Sequence, residues 1–71
     1  MPTIILPVTS GNQPAVDKAL ITLTNEFPGS KFDGQHFVDI VGNKSNVEIA
    51  NIRKDKTRPF MYWVTFVLTY I

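Results

Sequence analysis

Apolar and polar positions divide the chain into five patterned segments joined by short polar loops. Thr3 to Val8 is short and apolar, with Pro7 near its end, where a strand tolerates a residue that cannot donate a backbone hydrogen bond. After the polar loop Thr9 to Gln13, residues Val16, Ala19, Leu20, Leu23 and Phe27 recur at the spacing of one helical face. Pro14 suits the first turn of that helix, Asp17 lies near the positive end of its dipole, and Pro28-Gly29 stops it. Gln35 to Val41 alternates as a second strand. Gly42 to Asn46 is rich in residues that tolerate turn geometry, and Val47 to Arg53 reads as the returning strand. The loop Lys54 to Pro59 then leads into Phe60 to Ile71, the most hydrophobic stretch of the chain.

The order β-α-β-β-β predicts an α+β fold with one helix packed on a four-stranded mixed sheet. A strand, a helix and a second strand make the first two strands parallel, and two hairpins then make the second and fourth parallel as well. The last strand carries Phe60, Tyr62, Val64, Phe66, Leu68 and Tyr70 on one face, and Met61, Trp63, Val67 and Ile71, interrupted by Thr65 and Thr69, on the other. Runs that are apolar on both faces occupy the middle of sheets, so strand order 2-3-4-1 with a right-handed crossover is expected.

That arrangement leaves apolar surface over. One helix covers one face, so Met61, Trp63, Val67 and Ile71 are the candidate interface of a homodimer, with Trp63 as its anchor. About twelve residues at roughly 3.3 Å each also make the last strand about 40 Å long, more than a domain this size needs.

Composition sharpens the picture. With 71 residues, 44% apolar and 18% charged, the chain reads as a single small globular domain over residues 1–71. A domain this small buries only about 60% of its unfolded surface, so stability is marginal and association with another chain helps. The lack of cysteine excludes disulfides and thiolate metal sites, and one histidine does not anchor a structural zinc. No cofactor is expected. The N-terminal stretch lacks the basic region of a targeting signal, and the last apolar run is shorter than the roughly twenty residues of a spanning helix. A soluble, cytoplasmic protein without membrane contact is expected.

Candidate chemistry is sparse. Asp33, His36 and Asp39 have an acid-His-acid composition, but steps of three align on a helix and not on a strand, where His36 points away from both aspartates. The chain has no nucleophile elbow and no phosphate-cradling glycine spacing. Asn43-Lys44-Ser45 matches a glycosylation sequon, which carries no weight without a secretory signal. No enzymatic activity is expected. The strongest polar feature is Arg53, Lys54, Lys56 and Arg58, four of the chain's seven basic residues, followed closely by Tyr62 and Trp63. Phosphate-neutralising cations beside stacking aromatics suit nucleic acid, although a net charge of +1 and the ordinary need for a solvated hairpin loop weigh against it. The leading expectation is a non-enzymatic interaction module (adaptor, inhibitor or assembly factor) that meets another protein. The alternative is a nucleic-acid-binding domain using Arg53, Lys54, Lys56, Arg58 and Tyr62.

Overall fold

The structure, a computed structural model, describes residues 3–71; Met1 and Pro2, part of the stretch read above for a targeting signal, lie outside the described residues. In chain order the elements are β1 (Thr3–Thr9), α1 (Val16–Glu26), β2 (Lys31–Phe32), β3 (Phe37–Val38), β4 (Lys44–Lys54) and β5 (Met61–Tyr70). The strands form one curled sheet, a half-barrel, in the order β1-β5-β4-β3-β2. Every neighbouring pair is antiparallel.

The expected four-stranded mixed sheet with order 2-3-4-1 is therefore overturned. The fold is mostly β, with five strands and one short helix among the described residues. Two aspartates explain the difference. The Asp33 carboxylate oxygen Oδ1 accepts hydrogen bonds from the backbone N–H groups of Gln35 (3.1 Å) and His36 (2.8 Å), closing a turn between β2 and β3. Asp39 Oδ1 accepts likewise from Val41 (3.0 Å) and Asn43 (2.9 Å). These turns trim the expected strand Gln35 to Val41 to Phe37–Val38 and add a hairpin before it. One extra reversal turns the rest of the chain around. β5 consequently runs antiparallel to β1, with Leu6 opposite Val64.

α1 begins at Val16, with Ala15 as its N-cap and Pro14 buried just before it. Ala19 and Leu23 are fully buried and Leu20 is half-buried, whereas Val16 and Phe27 at the ends of the predicted stripe are exposed. The helix packs chiefly on β1. Below it, Leu6 and Val8 join Val64, Phe66 and Leu68 of β5 and Phe37 of β3 in the core. Gly29, just past the helix, has φ +88°, a conformation that favours glycine, and a Cβ there would meet Ile40 Cδ1 at 2.7 Å, so that exposed side chain would have to shift.

β4 contributes Val47, Ile49 and Ile52 to the same face, all half-buried. Their spacing breaks the two-residue period of a strand. The break is taken up by a bulge: Ile49 pairs with Phe66 and Asn51 with Thr65, leaving Ala50 as the extra residue. The bulge keeps Ile52 inside and Arg53 outside.

Deleting Ala50 should therefore restore regular alternation without moving any side chain to the other face. Urea unfolding is expected to place that variant within about 1 kcal/mol of the parent. Deleting Thr65 from the unbulged central strand reverses the faces on one side of it and should abolish folding. Equal damage from the two deletions would contradict this register.

Candidate interaction surface

The face of the sheet away from α1 is built from alternate residues of β1, β5 and β4. Register sets them in rows: Thr3, Val67 and Glu48; Ile5, Thr65 and Asn51; Pro7, Trp63 and Arg53. Met61 lies opposite Thr9 at the end of the set. The helix buries its apolar side in the core on the other face, so no helix or further strand among the described residues covers this one. Ile5 is 58% exposed, and Met61, Trp63 and Val67 are half-buried. Ile71 follows the strand's end, 72% exposed, with its N–H on the carbonyl of Lys44 at 3.2 Å. Three of the four expected interface residues thus share one open face, and the fourth extends their line.

Trp63 is oriented by a carboxylate eight residues earlier. Its indole N–H donates to Asp55 Oδ1 at 2.9 Å. The other oxygen of Asp55 accepts from the N–H of Thr57 (3.0 Å), the hydroxyl of Thr57 (3.0 Å) and the N–H of Arg58 (2.8 Å). The Trp63 indole, followed by these backbone and hydroxyl donors, holds the Asp55 carboxyl well below the usual carboxylate range. Asp55 also donates its own N–H to the carbonyl of Met61 (2.9 Å), and Ser10 N–H reaches the carbonyl of Phe60 (2.8 Å). One side chain thereby shapes the β4–β5 loop and fixes the aromatic ring beside it.

The basic residues Arg53, Lys54, Lys56 and Arg58 are all exposed, and none is ion-paired among the described residues. Register divides them. Arg53 lies opposite Trp63 on the helix-free face, whereas Lys54 lies opposite Tyr62 on the other. Lys56 and Arg58 stand on the loop between the strands.

Asp33, His36 and Asp39 do not converge. His36 Nδ1 is 3.9 Å from Asp33 Oδ1, Lys44 Nζ is 3.5 Å from Asp33 Oδ2, and Asp39 serves its own turn. The backbone donors of His36 and Gln35 lower the Asp33 pKa to about 2, with smaller help from the charges of Lys44 and His36. The described residues include no cluster of three or more His, Cys, Asp or Glu able to hold a metal. No helix among them is long and apolar enough to cross a membrane.

Two features escape sequence reasoning. On β4, β3 pairs only with Lys44 and Ser45, so the far edge of β4 from Asn46 to Lys54 has no strand beside it among the described residues. Beside that edge, between α1, β2 and β4, runs an open groove of about 890 Å³ whose walls include Leu20, Ile21, Phe32, Val47 and Ile49. The length of β3 decides both, and two-residue strands leave no period to read. Asp55 was accessible only as an Asp-x-Thr turn signal; nothing in the spacing pairs it with Trp63.

Compared with protein-family models, with curated proteins and with solved structures, the chain matches none.

The Asp55–Trp63 bond makes a pH prediction. A carboxyl whose folded pKa lies below its ordinary value of 3.8 contributes stability that is complete above that value and lost as pH falls toward the folded one. Trp63 emission should stay constant from about pH 7 to about pH 4 and change only in stronger acid. Asp55→Asn, whose amide cannot accept all four donors, should show the acid-form emission already at neutral pH. A wild-type transition above about pH 4 would refute the bond.

Proposed function

We propose that this chain is a non-enzymatic interaction module that meets another protein through the helix-free face of β5. The observation carrying this reading is the line of half-buried Met61, Trp63 and Val67, flanked by exposed Ile5 and prolonged by exposed Ile71, on the face opposite the one the helix packs against. Uncovered apolar faces mark interaction sites, and Trp and Met are enriched at their centres. Trp63 is held in one orientation by Asp55, which lowers the conformational cost of docking on it. Lys56 and Arg58 stand exposed on the adjoining loop with no ion pair among the described residues. The complementary partner is a protein patch with an apolar centre and carboxylates along one rim. The cysteine-free chain suits a cytoplasmic setting.

Nucleic acid is the competing occupant, through Arg53, Lys54, Lys56, Arg58 and Tyr62. The division of Arg53 and Lys54 between two faces favours protein over a continuous phosphate track.

Two variants separate the readings: Ile5→Lys on the face, and combined Lys54→Ala, Lys56→Ala and Arg58→Ala on the loop. A labelled single-stranded oligonucleotide at low salt should show no saturable binding to the wild type. A photoreactive residue in place of Thr65 should crosslink a protein partner that is lost with Ile5→Lys and retained with the wild-type face. Saturable oligonucleotide binding that the loop variant abolishes would overturn the proposal in favour of nucleic acid.

A further inference from the structure

A strand edge with no neighbouring strand among the described residues over Asn46 to Lys54 presents a row of backbone donors and acceptors to whatever can lie beside it. Edges of this kind are commonly blocked by charges and bulges, and β4 carries both, so the order of its side chains decides what it admits. Around the midpoint between Ala50 and Asn51 the sequence is self-complementary. In an antiparallel pairing about that point, Val47 meets Lys54, Glu48 meets Arg53, and Ile49 meets Ile52.

The bulge makes the faces agree. Glu48 and Arg53 both lie on the helix-free face, opposite Val67 and Trp63 of their own chain. Ile49 and Ile52 both lie on the core face, opposite Phe66 and Val64. A two-fold axis perpendicular to the sheet therefore sets Glu48 beside the partner's Arg53 twice, and Ile49 beside the partner's Ile52 twice. Neither Glu48 nor Arg53 has an ion-pair partner among the described residues within its own chain.

The groove beside the edge supplies the remaining fit. α1 packs chiefly on β1, leaving room over β4. The partner's Ile52 would enter beside Ile49 and Leu20, and the partner's Lys54 would approach a groove that Asp17 also lines. The geometry points to a homodimer in which β4 pairs with β4 of a second copy, joining two curled sheets into one of ten strands. This edge is separate from the helix-free face of β5, which both copies would still present, now on one continuous surface.

The test is a pair of charge reversals on the full chain, read by sedimentation over a range of concentrations. The wild type should dimerise. Glu48→Arg sets like charges against the partner's Arg53, and Arg53→Glu does the same against the partner's Glu48. Each alone should weaken dimerisation by about tenfold or more. Mixing the two variants restores both opposite-charge pairs and should give a heterodimer of about wild-type affinity. Amide exchange along residues 47–54 should slow as wild-type concentration rises. A wild type that stays monomeric at high concentration would overturn the proposal. So would a dimer indifferent to the reversals, or a mixture no tighter than its components; the first of these would place self-association on another surface, without touching the reading of the β5 face.

Discussion

A single helix of 11 residues meets a sheet whose central long strand is apolar on both sides, and most of the structure follows from that mismatch. β5 is paired along both edges, by β1 and β4, which satisfies its backbone polar groups. Its even-numbered side chains Val64, Phe66 and Leu68 join Ala19 and Leu23 of the helix in the core. Its odd-numbered side chains are left to the sheet's own curl. Because the helix sits over β1, even the covered face is unfinished toward β4, where the groove opens. An open apolar face and an open edge are thus two consequences of one shortage of helix.

Aspartates carry the second structural theme. Asp33, Asp39 and Asp55 each accept at least two hydrogen bonds from backbone N–H groups in the following residues. Such local bonds offer the chain a turn in place of a strand. Two of these turns set the number of reversals and hence the direction of β5. The third ties the β4–β5 loop to Trp63, so the residue that shapes the loop also orients the aromatic at the centre of the proposed surface. Acidic residues that invite a catalytic or metal-binding interpretation are occupied with backbone donors.

Legibility in the sequence tracked the length of each element. Ala19 and Leu23 sit on a helical stripe long enough to show its period, and the two-sided apolar run from Met61 to Tyr70 announces a strand between two others. β2 and β3 have two residues each, too few for any alternation, and the parity of the whole sheet hung on them. The spacing of Val47, Ile49 and Ile52 does contain the bulge, since a step of three interrupts a step of two. The candidate surface was legible as far as composition could show it: Met61, Trp63 and Val67 share a face. What held Trp63 in place, and which of Arg53 and Lys54 lay beside it, needed the register.

The central claim is that the face carrying Val67 is free in the folded chain. Val67→Lys tests it most directly, through the urea midpoint of unfolding. On a free face the lysine stem lies along the sheet with its ammonium in water, and stability should change by no more than about 1 kcal/mol. If the face is instead sealed inside the fold, a buried unpaired charge should cost several kcal/mol and unfold so small a domain. That result would contradict the account.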